Sequence, residues 1–219
     1  MRTVLITGAA GNLGRAVASA FADDELVLLD MKRGNLQDTD RQRFVAVDLL
    51  DTKSVQAAVD QCKRIDVLCN IAGGFRMGSP VHETSDKDWN FLMDLNARTV
   101  LNICREVVPR MIKAGGGKIV NIGAFAAQKG AAQMGAYVAS KSAVIRLTET
   151  MAAELREKNI NVNCVLPTII DTPENRAAMP DADPRRWVAP QALADVIVFL
   201  ASDAARAIHG AAVPVAGLS

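Results

Sequence analysis

A glycine-rich turn near the N-terminus constrains the fold of this chain more than any other stretch. An apolar run over residues 3–7 precedes Gly8-Ala9-Ala10-Gly11-Asn12-Leu13-Gly14, and residues 15–22 then form a predicted helix. In this setting the backbone can approach a pyrophosphate, and the helix N-terminus presents free N–H groups to it. The spacing is GxxGxxG rather than GxGxxG. We interpret the stretch as a dinucleotide-binding turn, with a purely structural turn as the alternative.

Strand and helix patterns alternate along the rest of the chain. Half of the 219 residues are hydrophobic but only 4% are aromatic, which favours a parallel sheet of aliphatic residues covered by helices. Repeated βα units predict one Rossmann-type, doubly wound, three-layer α/β/α domain over residues 1–219. The predicted strands cover residues 3–7, 26–29, 41–47, 66–71, 118–122, 161–166 and 212–215; the later predicted helices cover residues 53–63, 86–113, 137–158 and 190–202.

Polar and small residues fall where several predicted strands end, and ligands of open parallel sheets bind at those ends. Asp30 follows the second strand, about 20 residues after the glycine turn begins, where a carboxylate can bind a ribose 2′-hydroxyl. It would repel a 2′-phosphate, so NAD(H) is favoured over NADP(H). Lys32 and Arg33 keep NADP(H) open, because a cation can neutralise that phosphate. Asp30 as a simple turn cap is the structural alternative.

Tyr137 and Lys141 are separated by four positions in a helix-compatible run, so both can project from one face. A positive charge beside a phenol favours the phenolate and lowers its pKa from about 10. The pair is therefore predicted to exchange a proton near neutral pH, as a general acid or base. An exposed helix with an unrelated Tyr and Lys is the alternative. Asn96, in the middle of another predicted helix, is either functional or a satisfied buried amide.

Charge and cysteine content exclude several classes of function. The net charge is +1 with no basic stripe, which argues against nucleic-acid and membrane partners. Four dispersed cysteines without a CxxC indicate reduced core thiols. His82 and His209 are isolated, so no metal site is predicted. The N-terminal apolar run is too short for a signal peptide, and we expect a soluble, cytoplasmic protein.

A long segment near the C-terminus lacks clear periodicity. Residues 168–189 are rich in Pro, Asp and Arg, and a loop of this length in a compact domain is often a substrate lid. We therefore predict a lid over residues 168–189.

Several of these motifs together resemble the short-chain dehydrogenase/reductase family: Thr7-Gly8 through Gly14, Asn70-Ile71-Ala72-Gly73, Asn96, and Tyr137 with Lys141. The resemblance covers essentially the whole chain and implies an NAD(P)-dependent oxidoreductase, dimeric or tetrameric through the long helices 86–113 and 137–158. It implies Tyr137 as general acid/base, Lys141 as the group that lowers its pKa, and Asn96 as support for a proton relay. The cofactor-binding residues that it implies are Gly8, Gly11, Asn12, Leu13, Gly14, Asp30, Asp48, Leu49, Asn70, Ala72, Gly73, Tyr137, Lys141, Pro167, Ile170 and Thr172.

The chain departs from the family pattern at three positions. Asn12 stands where the turn usually has its central glycine, and Ile71 replaces an Asn. The family's catalytic Ser is expected about 13 residues before the Tyr, but Ala124 stands there. Losing one hydrogen-bond donor to a substrate carbonyl can reduce the rate about 10²–10³-fold.

Ala at this position is also found in the dihydropteridine reductase subgroup, which the segments 67–75, 123–127 and 166–187 resemble as well. That resemblance implies hydride and proton transfer to a quinonoid dihydropterin, with a flat pocket for which we consider Phe75, Ala124, Phe125, Met179 and Trp187. One alternative is a family member that acts on another ketone or secondary alcohol. Another is an NAD(H)-binding regulator with weak catalysis.

Overall fold

A seven-stranded parallel sheet forms the middle layer of the molecule. The computed structural model describes all 219 residues. The strands are β1 (Thr3–Thr7), β2 (Glu25–Asp30), β3 (Gln42–Ala46), β4 (Val67–Asn70), β5 (Gly117–Ile122), β6 (Ile160–Pro167) and β7 (Ala212–Val215). Their spatial order is β3-β2-β1-β4-β5-β6-β7, and every pairing is parallel. The predicted Rossmann-type, doubly wound fold is confirmed.

Seven α-helices flank the sheet. They are α1 (Asn12–Ala20), α2 (Thr52–Asp60), α3 (Asp86–Met93), α4 (Thr99–Ala114), α5 (Gly135–Leu155), α6 (Pro173–Ala178) and α7 (Pro190–Leu200). Asp51 caps α2 and Ser85 caps α3 with side-chain hydrogen bonds, and Gly115 ends α4 in a left-handed conformation. No helix has both the length and the apolar character needed to span a bilayer.

Two predicted segments differ from what the structure shows. The helix predicted over residues 86–113 consists of α3 and α4 joined by a π-helical turn, Asp94–Arg98, which contains Asn96. A single wider turn does not alter the hydrophobic periodicity enough to be detected in sequence. The segment predicted as a structureless lid contains α6, whose six residues are too few for a periodic signal.

Alternating side chains of each strand enter two separate cores. Leu5, Val27 and Leu29 belong to the core beneath α2, α4 and α5, whereas Val4, Ile6 and Leu28 belong to the core beneath α1 and α7. This alternation follows from the two-residue period of a strand. Because both faces are covered, the strands are almost continuously apolar, as the sequence indicates.

The chain reverses its direction of progression across the sheet between β1 and β4. From β1 it proceeds outward through β2 to β3, and then returns to place β4 on the other side of β1. Thr7 and Asn70 pair at the carboxyl ends of these two strands. The Thr7 hydroxyl accepts a hydrogen bond from the Ala72 amide at 3.2 Å. In open α/β sheets the ligand crevice lies at such a topological switch point.

Candidate active site

The glycine turn lies at the switch point and is packed against the segment after β4. Gly8 has φ +65°, a conformation that favours glycine, and a Cβ there would lie 2.7 Å from the Ala72 nitrogen. A Cβ at Gly14 would collide with the Gly8 carbonyl oxygen. Gly11 immediately precedes α1 and has no side chain that could cap it. The N–H groups of the first turn of α1 therefore have no side-chain acceptor from the capping position.

The carboxylate of Asp30 is held beside this turn at the end of β2. One of its oxygens accepts a hydrogen bond from the Ala10 amide at 3.0 Å, and the other accepts one from the Met31 amide at 2.8 Å. Arg33, in contrast, pairs with Asp38 at 3.0 Å and lies over the ring of Phe44, 4.9 Å from its centroid. The site near Asp30 therefore has a fixed anion, and the nearby guanidinium is engaged elsewhere.

These features fit a dinucleotide cofactor. The turn accommodates only glycine at Gly8 and Gly14, the start of α1 is suited to an anion, and the Asp30 carboxylate lies next to both.

Asp48 is exposed, and its carboxylate accepts from the Leu50 amide at 2.9 Å; Leu49 is buried. The adenine contact of Asp48 and Leu49 stays a prediction.

Asn96 lies in the π-helical turn and clamps the segment after β4. Its amide accepts from the Gly74 nitrogen at 2.9 Å and donates to the Gly74 carbonyl at 3.1 Å. It also donates to the hydroxyl of Ser140 at 3.0 Å, and it is 1% exposed. A Cβ at Gly73 would lie 2.8 Å from the Asn96 Oδ1 and 3.1 Å from the Lys141 Nζ. Asn96, Gly73 and Lys141 therefore converge, while a relay role for Asn96 stays a prediction.

Tyr137 and Lys141 lie in the first two turns of α5. The buried Lys141 ammonium donates to the Ile122 carbonyl at the end of β5, at 2.8 Å. Ser140, which is fully buried, donates to the Tyr137 carbonyl at 2.7 Å. Through Ser140 the start of α5 is tied to Asn96. Sequence reasoning did not assign Ser140 a role, although its position three residues after Tyr137 places it on the same helical face.

Burial shifts the two titratable groups in opposite directions. Desolvation raises the pKa of Tyr137 to about 12 and lowers the pKa of Lys141 to about 8, since each environment disfavours the charged form. In the free protein the pKa of Tyr137 is thus raised rather than lowered, and the role of Lys141 in lowering it stays a prediction. The physical reason is that removal from water dominates at the phenol, and the ammonium donates to the Ile122 carbonyl.

No serine takes the place of the missing hydroxyl at position 124. Ala124 is buried at the end of β5, just before a short 3₁₀ turn, Phe125–Gln128. The two hydroxyls near Tyr137 in sequence are both used internally: Ser140 bonds the Tyr137 carbonyl, and Ser142 donates to the Ala127 carbonyl at 2.9 Å. Neither of these two serines is therefore free to replace the hydroxyl that position 124 lacks.

Of the predicted substrate residues, Phe75 is placed against Tyr137. Their ring centroids are 4.9 Å apart with an interplanar angle of 89°, an edge-to-face contact, and Phe75 is 56% exposed. Phe125 is also exposed, Met179 is partly exposed and Trp187 is buried. Substrate contacts of these residues stay predictions.

The predicted lid is connected to the glycine turn. Pro167 ends β6, Ile170 forms a bridge with Val188, and the Thr172 hydroxyl caps α6 by accepting from the Asn175 amide at 3.2 Å. The Asn12 amide donates to the Glu174 carboxylate on α6 at 2.8 Å. Arg15 donates to the Asn12 Oδ1 at 2.7 Å and orients that amide. Asn12, which departs from the family pattern, thus joins the glycine turn to α6 in the predicted lid.

A buried polar chain that sequence reasoning missed lies beneath the site. The Asn70 amide donates to the Asn121 Oδ1 at 2.8 Å, and the Asn121 amide donates to the Thr148 hydroxyl at 2.8 Å. The Oδ1 of Asn70 is buried without a partner. A polar residue in the otherwise apolar run of β5 was the available signal. The Asn70 amide nitrogen bonds within the protein, and a cofactor contact by this residue stays a prediction.

Comparisons with known proteins agree with this geometry. The family model described as short chain dehydrogenase matches residues 2–183. D-threitol dehydrogenase of Mycolicibacterium smegmatis is 35% identical, and the alignment covers 96% of this chain and 89% of the relative. A 3-oxoacyl-acyl-carrier-protein reductase of Thermotoga maritima is 32% identical, with coverages of 99% and 96%. The structure of an NAD⁺-bound xylitol dehydrogenase superimposes with a TM-score of 0.90 at 28% identity, covering 99% of this chain and 98% of that one.

Proposed function

The chain belongs to the short-chain dehydrogenase family and is an NAD(P)-dependent oxidoreductase, and we propose that it interconverts a secondary alcohol and a ketone with NAD(H). The observation that carries this proposal is the convergence of Lys141 and Asn96 at Gly73, with Tyr137 one helical turn before Lys141 and the dinucleotide turn nearby. Two relatives, the D-threitol and xylitol dehydrogenases, are named for polyols, which contain secondary hydroxyl groups.

Tyr137 is the proton-transferring residue in this proposal. Its hydroxyl gives a proton to the ketone oxygen during reduction, and its phenolate takes the hydroxyl proton during alcohol oxidation. The nicotinamide cofactor, when bound, supplies or accepts the hydride. With a pKa of about 8, Lys141 is mostly protonated at pH 7, and it is the buried cation available to stabilise the phenolate. Asn96 holds the Gly73-Gly74 backbone in place beside it.

The preference for NAD(H) follows from the charges beside the glycine turn. The fixed Asp30 carboxylate can accept hydrogen bonds from a ribose diol and would repel a 2′-phosphate. Arg33, one of the two nearby cations that could neutralise that phosphate, is held by Asp38 and Phe44. Use of Arg33 for NADP(H) would require it to leave both partners, and Lys32, the other cation, is exposed.

A second candidate function is supported by Ala124. Without a donor at this position, an acceptor that does not need a polarised carbonyl is favoured, and a quinonoid dihydropterin is such a conjugated, imine-like acceptor. The exposed ring of Phe75, edge-on to Tyr137, offers an aromatic contact for a flat substrate. This candidate is a dihydropteridine reductase-like activity with the same proton donor.

Three further expectations belong to this proposal. Residues 168–189 act as a substrate lid, fastened to the glycine turn by the Asn12–Glu174 hydrogen bond. The enzyme assembles as a homodimer or homotetramer through α3–α4 and α5. It works in the cytoplasm, in keeping with four buried, unpaired cysteines.

The test follows NADH absorbance with two groups of substrates. NAD⁺ is supplied with D-threitol and xylitol, and NADH is supplied with 2,3-butanedione or, separately, a quinonoid dihydropterin. Turnover of the alcohols and the diketone supports the first function, and turnover of the pterin alone supports the second. Tyr137→Phe should reduce either activity about 10²–10⁴-fold. Undiminished turnover in this variant would show that Tyr137 is not the proton donor.

A further inference from the structure

The hydroxyl of Ser140 is fully buried on α5, between Tyr137 and Lys141. We propose that Ser140 is a positioning residue: through the backbone of Tyr137 and the side chain of Asn96, it sets where the phenol and the ammonium stand beside the segment that follows β4. It does so in the alcohol–ketone reaction, on whose assignment this inference rests. Ser140 acts through these two neighbours and does not itself contact the reacting atoms.

The directions of the hydrogen bonds at Ser140 follow from its single hydrogen. The hydroxyl donates to the Tyr137 carbonyl at 2.7 Å, so toward the Asn96 amide, 3.0 Å away, it can only accept. The Asn96 amide is oriented independently, because its Oδ1 accepts from the Gly74 nitrogen at 2.9 Å. Its two N–H groups are then both used, one on the Gly74 carbonyl at 3.1 Å and one on Ser140. One chain of hydrogen bonds therefore runs from the segment after β4 to the first turn of α5.

The carbonyl that Ser140 binds lies between the two reacting groups. In an α-helix the carbonyl of residue i accepts from the amide of residue i+4, so this carbonyl is the backbone link from Tyr137 to Lys141. The added bond from Ser140 fixes the helical turn that carries both side chains. Lys141 also faces the segment that Asn96 holds, since a Cβ at Gly73 would lie 3.1 Å from its Nζ. Ser140 therefore joins the two elements whose separation decides where the proton donor stands.

Other hydrogen bonds hold α5 in the fold. The Ser142 hydroxyl donates to the Ala127 carbonyl at 2.9 Å, and farther along the helix the Thr148 hydroxyl accepts from the Asn121 amide at 2.8 Å. Loss of the Ser140 hydroxyl should therefore loosen the start of the helix without detaching it. Proton transfer is more sensitive than folding to such a change, because a misplacement of about 1 Å can lower a rate about 10²-fold.

The experiment compares two buried hydroxyls of α5. Ser140→Ala removes its hydroxyl and leaves one N–H of Asn96 unpaired, so kcat on 2,3-butanedione should fall about tenfold or more. KM should change less than about twofold, because Ser140 does not contact the substrate. Thr148→Val is the matched control, since it keeps the side-chain volume and removes a hydroxyl that donates to the Val144 carbonyl and accepts from Asn121. Both variants should have a lower melting temperature, because each leaves a buried amide unpaired, but Thr148→Val should keep the wild-type kcat.

An isotope effect and a double-mutant cycle identify the step and the path. In Ser140→Ala the solvent deuterium isotope effect on kcat should increase, because proton transfer from a displaced phenol limits the rate more. A variant that is merely less stable would show no such increase. Because Ser140 acts partly through Asn96, Ser140→Ala should lower kcat much less in the Asn96→Ala background than in the wild type.

Three results would overturn the inference. Wild-type kcat in Ser140→Ala, an equal loss of kcat in Thr148→Val, or a loss of kcat without a larger isotope effect would show that Ser140 does not position the proton donor. Each of these leaves the alcohol–ketone function intact. A wild-type protein that binds NADH but turns over none of the alcohols or ketones would instead overturn the proposed function, and the inference with it.

Discussion

At the scale of single residues, the same burial acts on two neighbouring groups with opposite consequences. It disfavours the phenolate of Tyr137 and the ammonium of Lys141. Near neutral pH the phenol therefore stays neutral, as in water, whereas the protonated Lys141 is less favourable than it would be in water. Lys141 has one hydrogen-bond partner, the Ile122 carbonyl, and no carboxylate pairs with it. A buried cation with so little compensation destabilises the fold, which is a common cost of an active site.

Replacing this cation should therefore raise stability and remove activity. In Lys141→Met, whose side chain has a similar length without the charge, the free energy of unfolding at pH 7 should rise by up to about 3 kcal/mol, the equivalent of the shift from 10.5 to about 8. Urea denaturation measures this rise, and turnover should fall about 10²-fold or more. A lower free energy of unfolding in Lys141→Met would contradict this prediction. Lys129→Met, which removes an ammonium at an exposed position, is the control.

The pH dependence of the wild type follows from the same shift. The folded-state pKa of Lys141 is depressed, so between pH 8 and about 10 the unfolded chain binds more protons than the folded one at this residue. This group's contribution to stability therefore rises with pH across that window, and Lys141→Met lacks the rise.

At the scale of elements, the π-helical turn between α3 and α4 and the short helix α6 shape the site. The π-helical turn places Asn96 so that its amide binds both backbone groups of Gly74. Helix α6 brings Glu174 to Asn12 at the start of α1. Both elements are short, and each holds a segment next to the dinucleotide turn.

The contact between α6 and the glycine turn should control how long the cofactor stays bound. Glu174→Ala removes the acceptor for Asn12, so the dissociation rate of NADH should increase, by about fivefold for a net loss near 1 kcal/mol. Glu174→Gln keeps an acceptor and should stay near the wild-type rate. Stopped-flow fluorescence of NADH measures both rates. Equal rates in Glu174→Ala and the wild type would show that this hydrogen bond does not fasten the lid.

At the scale of the whole molecule, cofactor binding should stabilise the fold, because the site joins distant parts of the chain. NADH at 100 times its dissociation constant should add about 2.7 kcal/mol to the free energy of unfolding. At equal concentration NADPH should raise the melting temperature less, since Asp30 repels its extra phosphate. Thermal denaturation with each cofactor measures these increases in melting temperature. In Asp30→Ala the increases caused by NADH and by NADPH should differ less than in the wild type. A larger shift with NADPH would reverse our cofactor assignment.

The sequence predicts the sheet and most of its helices well because the hydrophobic pattern of each element extends over most of its length. The glycine turn, Asp30 and the Tyr137–Lys141 spacing are local signals, and the structure places these groups near the carboxyl ends of β1, β2 and β5. The pKa of Tyr137, the Asn12–Glu174 bond and the Asn96–Ser140 bond depend on burial and tertiary contacts. No sequence spacing encodes these, so they could not be predicted.

The position of β1 in the middle of the sheet has a consequence for the order of synthesis. The glycine turn leaves the ribosome early, yet its packing partner Ala72 and the neighbouring strand β4 are made only after β2 and β3. Until then a nascent chain carries β1 with one edge unpaired, and such an edge invites pairing with other chains. The N-terminal part of the chain, which carries the glycine turn, therefore has an unpaired strand edge to protect during translation.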